Sequence, residues 1–282
     1  MKHLFATSCA AAAVLLVLLP ATSRAAEVYR LVWSDEFEAD GKPDPQKWTY
    51  ERGFVRNREL QWYQAENAVC KDGRLIIEGR RERTPNPVYK AGSTDWKENR
   101  SHIEYTSACL VTEGLHQWQY GRFEVKAKIT AQDGLWPAFW FLGVAGEWPS
   151  RGEIDLMEYF GGNILANACW GSKVRWNPTW DTSKTPVTSF ASSDWDARFH
   201  VWRMDWDNNS IRLYVDDQLL NTIDVTKTIN PTDRGPKNPF RQPHYLLINL
   251  AIGGEAGGDP SKTAFPTRYE VEYVRVFQKS EE

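Results

Sequence analysis

The eight residues Arg122-Phe123-Glu124-Val125-Lys126-Ala127-Lys128-Ile129 carry an apolar side chain at every odd position and, up to Lys128, a charged one at every even position. Successive side chains of a strand leave on opposite faces, so this stretch predicts a ribbon with one dry face and one wet face. A dry face of that kind needs a second layer to cover it. Ser210–Val215 repeats the pattern, and Asp216-Asp217 then turns the chain into Gln218-Leu219-Leu220. Residues 245–252 are almost wholly apolar, as in a strand covered on both faces. Residues 269–277 read as a further strand, and Gly and Asp clusters separate these runs. No amphipathic helix of three turns is visible. Many strands with regular turn signals predict an all-β fold, a two-sheet antiparallel sandwich. Residues 83–100 and 171–198 read as long surface loops, the second carrying Trp176, Trp180 and Trp195.

The start of the chain is of a different character. Lys2 and His3 precede an apolar run over residues 10–19, Pro20 ends it, and Ser23-Arg24-Ala25-Ala26 offers small residues for cleavage. This predicts a signal peptide over residues 1–26, whose apolar run is too short to span a bilayer, followed by a single β-sandwich domain over 27–282. The expected location is secreted or periplasmic. Removing Lys2 and Arg24 takes the formal net charge from −3 to −5. A surface of that sign does not favour nucleic acid. Three cysteines remain, Cys70, Cys109 and Cys169, so at least one is unpaired; a Cys70–Cys109 bridge and three buried thiols are both open. The chain holds 14 Trp, more than a core of this size needs. Flat amphipathic rings on a surface suit a stacking ligand such as a sugar.

Gly152-Glu153-Ile154-Asp155-Leu156-Met157-Glu158 is the stretch richest in chemistry. In a regular strand Glu153 and Asp155 share a face and Glu158 points the other way. A β-bulge near Leu156-Met157 would absorb one residue and return Glu158 to the same face. The two Glu Cα atoms would then lie roughly 13 Å apart, and leaning side chains could approach the about 5–5.5 Å carboxyl separation of retaining glycosidases. Such chemistry needs one ionised carboxylate and one protonated acid, and a neighbouring anion raises the second group's pKa. Asp155, between them, could hydrogen-bond Glu153 and tune both. A calcium site or a solvated acidic strand fits the same pattern.

Glu153-x-Asp155-x-x-Glu158 resembles the signature of glycoside hydrolase family 16, in the bulged variant of laminarinases and their relatives. The resemblance extends over nearly all of the chain after the leader. Leu31-Val32-Trp33-Ser34-Asp35-Glu36-Phe37, Asn57-Arg58-Glu59-Leu60-Gln61-Trp62-Tyr63, Gly134-Leu135-Trp136-Pro137-Ala138-Phe139-Trp140 and Asn249-Leu250-Ala251-Ile252-Gly253-Gly254 are similar to family segments in the same order. It implies a jelly-roll sandwich with an open cleft. It also implies Glu153 as nucleophile, Glu158 as acid/base and Asp155 as the assisting acid. Asn57, Glu59, Trp136, Trp140, Trp170 and Asn249 become candidate sugar contacts; core packing and loop capping are the alternatives. The chemistry needs no cofactor. A structural calcium on the convex side is the family's further implication, with Glu36 and Glu272 as candidate contributors.

The chain departs from the laminarinase pattern at Ala168-Cys169-Trp170-Gly171, where many laminarinases carry a His-containing strand. The Trp-rich segment that follows leaves mixed-linkage β-1,3-1,4-glucan open beside β-1,3-glucan. The expected protein is a monomeric endo-β-glucanase acting on a β-glucan polysaccharide or oligosaccharide, without nucleic acid or membrane. Other readings are a hydrolase of the same fold on another polysaccharide such as a galactan, a transglycosylase, and a non-catalytic sugar-binding module.

Overall fold

The computed structural model describes residues 29–190, 192 and 194–280; the leader expected over residues 1–26 lies outside them. Two β-sheets pack face to face. The larger runs in the order Gln218–Asp224, Ser210–Val215, His200–Trp206, Gly121–Lys128, Thr267–Lys279, Leu75–Pro85, His102–Ser107, Gln61–Tyr63. Tyr29–Asp35 joins it on Thr267–Lys279, and Ala68–Cys70 on Leu75–Pro85. The smaller runs Pro178–Pro186, Asn163–Gly171, Glu153–Phe160, Leu135–Gly143, His244–Ile252, Cys109–Val111, Thr49–Tyr50. All pairings are antiparallel except that of Gln61–Tyr63 with His102–Ser107. The expected all-β jelly-roll sandwich is the fold. Among the described residues the α-helical segment is the four-residue Gly254–Gly257, and no helix is long and apolar enough to cross a membrane.

The alternation at 122–129 does what its period requires. Phe123, Val125 and Ala127 are buried between the sheets, against Trp202, Val274 and Val276 from the flanking strands. On the outer face Arg122 makes a two-pronged ion pair with Asp205 (2.7 and 3.2 Å) and Lys126 meets Glu272 at 2.5 Å. The smaller sheet is covered on both sides at its centre. Phe139, Phe141, Leu246 and Ile248 face the inter-sheet core, while Ala138, Trp140, Tyr245 and Leu247 join Tyr63 and Cys109 in a second cluster on the other face. This is why His244–Ile252 is buried at all nine positions and reads as apolar throughout.

One expectation is corrected, and one pair of open alternatives is decided. The segment 171–198 is not one long loop: Pro178–Pro186 forms the edge strand of the smaller sheet, paired along its length with Asn163–Gly171. Its polar composition is that of a strand with one neighbour and much exposure. Cys70, Cys109 and Cys169 are all free and buried, so the Cys70–Cys109 bridge is not formed.

Candidate active site

Glu153–Phe160 is the third strand of the smaller sheet, flanked by Asn163–Gly171 and Leu135–Gly143. Its register slips once between Asp155 and Glu158 against the first neighbour, and between Asp155 and Met157 against the second. The extra residue lets Ile154, Leu156 and Met157 all enter the inter-sheet core. Glu153, Asp155 and Glu158 therefore emerge together on the opposite face, in the floor of one cleft. Gly152, at φ +81°, leads into this strand; a Cβ there would stand 2.8 Å from Pro239 Cβ.

The cleft has a volume of about 610 Å³ and is walled mainly by aromatic and aliphatic side chains. Its lining comes from five consecutive strands, Pro178–Pro186 to His244–Ile252, so it crosses the strands. One side is closed by Arg56, Asn57 and Glu59. The other carries Trp180, Thr182 and Lys184, alternate residues of the edge strand on one face.

The acids are held by indoles and an amide. Trp148 Nε1 donates to Glu153 Oε2 at 3.0 Å, and Trp136 Nε1 donates to Glu158 Oε1 at 2.8 Å. Asn167 Nδ2 donates to Glu158 Oε2 at 3.1 Å. Burial pushes Glu153 up to about 7; the charge of Glu158 adds to this, while the Trp148 hydrogen bond and Arg56 oppose it. Burial likewise pushes Glu158 up to about 7 against the donors Trp136 and Asn167. Asp155 is also held well above the ordinary carboxylate value, by burial and then by both glutamates, against a hydrogen bond from Asn167. The expected Asp155–Glu153 hydrogen bond is not made, and Asp155 Oδ2 has no partner.

The remaining candidates separate. Trp136 and Trp140 line the cleft. Trp140 is 7% exposed, beneath the Arg56 guanidinium at 4.9 Å, and donates from Nε1 to Asn249 Oδ1 at 2.7 Å. Asn249 passes the network on through Nδ2 to Tyr63 Oη at 3.1 Å, so its partners are protein side chains, Trp140 of the cleft and the buried Tyr63. Asn57 Nδ2 and Gln61 Nε2 donate to Glu59 at 3.3 and 2.7 Å. Burial raises the Glu59 carboxyl, and the loop that bears it rests on Gly254, where a Cβ would meet Asn57 O at 2.8 Å. Trp170 is not in the cleft. It has the opposite parity to Asn167 and Cys169 and packs edge-on against Phe240, 6.5 Å away, at the inter-sheet core. Glu36 is bridged to Arg275 at 2.8 and 2.9 Å, and Glu272 to Lys126 at 2.5 Å. No group of three or more His, Cys, Asp or Glu among the described residues is placed to hold a metal.

Sequence reading missed Arg56, Trp148 and Asn167. Arg56 forms an ion pair with Glu51 and projects its charge toward Glu153.

Residues 61–275 match the family model for glycosyl hydrolases family 16. The chain belongs to that family. It is 38% identical over 265 residues to the beta-glucanase of Rhodothermus marinus, covering 89% of this chain and 85% of the relative. The laminarinase structure from Rhodothermus marinus superposes with a TM-score of 0.73 at 36% identity, over 90% and 99% of the two chains. A structure reported with endo-acting O-glycanases, which prominent human gut bacteria express to initiate mucin breakdown, gives a TM-score of 0.80 at 33% identity, over 90% and 92%. Another relative, the glucan endo-1,3-beta-glucosidase A1 of Niallia circulans, is longer: the family member described here spans 38% of it at 29% identity.

Proposed function

We infer that this family 16 glycoside hydrolase is an endo-β-glucanase that cleaves β-1,3- or mixed β-1,3-1,4-glucan with retention. The observation that carries the reading is the bulged strand, which brings Glu153 and Glu158 to one face in the floor of a cleft that crosses five strands. Both carboxyls are raised, and their protons are told apart by Arg56, whose charge favours the ionised form of Glu153. Glu153 attacks the anomeric carbon as the bond to the leaving oxygen breaks, and the Glu158 proton goes to that oxygen. Glu158, now a carboxylate, takes a proton from water, whose oxygen attacks the same carbon and returns Glu153 as a carboxylate. An open cleft crossing the sheet supports attack within a chain. Residues 1–26 support export to the periplasm or the medium.

A second reading is favoured by the superposition on the O-glycanase structure and by Lys184. This lysine lines the cleft with no ion-pair partner among the described residues, which suits a less neutral glycan than glucan. Incubation with laminarin, with barley mixed-linkage glucan and with mucin O-glycans, with the products resolved over time, separates the two. Oligosaccharides from either glucan support the glucanase; cleavage of O-glycans alone overturns it in favour of the second reading.

A further inference from the structure

The loop that closes one side of the cleft turns through two consecutive residues with left-handed backbone, Asn57 at φ +52° and Arg58 at φ +49°. Asparagine tolerates that region, but in arginine the Cβ crowds the following carbonyl. Such a turn persists only where its surroundings hold it. Here three successive carbonyls are held. Asn57 O accepts from the backbone N–H of Glu255 at 2.9 Å. Arg58 O and Glu59 O both accept from one guanidinium, that of Arg100, through Nη2 at 3.0 Å and Nη1 at 2.8 Å.

Arg100 comes from outside the cleft, near the end of the segment 86–101. Asn86 closes that segment on itself: its Nδ2 donates to Lys97 O at 3.0 Å and to Arg100 O at 2.8 Å, and its backbone N–H to Ser101 O at 3.0 Å. The guanidinium also lies against the rings of Phe54 and Trp96, 4.9 and 5.0 Å from their centroids, which fixes the direction of its fork.

We propose that Arg100 is a positioning residue for the substrate: by gripping the carbonyls of Arg58 and Glu59 it holds the left-handed turn, and so keeps Asn57 and Glu59 in place at the cleft wall. It does not itself line the cleft. A guanidinium suits this task because its planar fork presents N–H groups to two neighbouring acceptors, where an ammonium offers a point charge. Without the grip the turn relaxes toward ordinary backbone, and the binding-competent form becomes a minor part of the free protein. Substrate must then select that part, which raises KM in proportion and leaves the saturated enzyme as it was.

This role rests on the hydrolase reading for its kinetic arm only. In Arg100→Ala, KM on laminarin, or on barley glucan if that is the polymer cleaved, should rise by about 5- to 30-fold, with kcat within about twofold of wild type. An unchanged KM, or a loss that falls on kcat alone, overturns the proposal. Adding Arg58→Gly to that variant removes the strain at its source, because glycine takes positive φ freely, and should lower KM again by roughly 2- to 5-fold. No recovery also overturns it, since Arg100 would then act by something other than the turn. A readout free of activity is amide exchange. The N–H groups of Glu255 and Glu59, which donate to Asn57 O and Arg56 O, should exchange about 5- to 30-fold faster in Arg100→Ala, and unchanged exchange overturns the proposal. Arg100→Lys, which keeps the charge and loses the fork, serves if the alanine variant does not fold. A protein that cleaves neither glucan but shows the quickened exchange would count against the hydrolase reading while supporting this one.

Discussion

Trp148 and Trp136 each point an indole N–H at one glutamate, and each belongs to a different strand or turn, so the two carboxyls are fixed independently. The proposed division of labour predicts different failures. Glu158→Ala should lower turnover of polysaccharide by about 100- to 10,000-fold, and added azide should restore turnover of an activated aryl glycoside as a β-glycosyl azide. Glu153→Ala with azide should instead yield the α-azide, because attack then occurs once, from the opposite face. Loss of neither activity would remove the assignment. The three acids were legible because ionisable groups interleaved with Ile, Leu and Met belong to no ordinary core or surface. Asn167 was less visible but carried a signal: a lone amide in the apolar run Ile164–Cys169 must find a partner if buried. Trp148 had none. It lies in a Gly-Glu-Trp-Pro turn, and only the folded chain brings that turn to Glu153.

A single slipped register converts Glu153–Phe160 from a strand of mixed parity into one with an acidic face and an apolar face. The bulge could be inferred because a regular strand would bury Glu158 in the core. Trp170 failed for the same reason in reverse: proximity to the cleft in sequence says little when parity sends a side chain to the other face. The edge strand Pro178–Pro186 was hidden by its exposure, since hydrophobic alternation fades where one face is solvent. Its Trp180, 44% exposed in the cleft wall, is placed as a platform for a sugar away from the scissile bond. Trp180→Ala should raise KM on long substrates by roughly 2- to 10-fold, in line with the roughly 0.5–1.5 kcal/mol of a stacked ring, and leave kcat nearly unchanged. An unchanged KM across chain lengths would mean that the ring binds nothing.

Across the molecule, the cleft acids oppose His244 in setting stability against pH. Glu153 and Glu158 have folded pKa values of about 7 against 4.5, so the folded state binds more protons and loses stability as pH rises from about 4.5 through 7. His244, buried and pushed down to about 4, loses stability as pH falls through 6.5 toward 4. Wild-type Tm should therefore peak in mildly acidic solution. Glu153→Gln together with Glu158→Gln should flatten the alkaline side of that peak; a Tm profile identical to wild type would show that the acids are not strained by burial. The sandwich itself was readable from period-2 patterns because its core is long and continuous. The small strands Gln61–Tyr63 and Thr49–Tyr50 were not separately readable, being set by contacts with distant strands rather than by local pattern.

The direction of the cleft also bears on how such an enzyme can change. A polysaccharide lying along the cleft would meet side chains of five strands, and only the third carries the proposed chemistry. Pro178–Pro186 is bonded on one side alone, so its side chains can be exchanged with little disturbance to the sheet. Preference for one polysaccharide over another can thus drift at the rim while the reacting groups are inherited untouched.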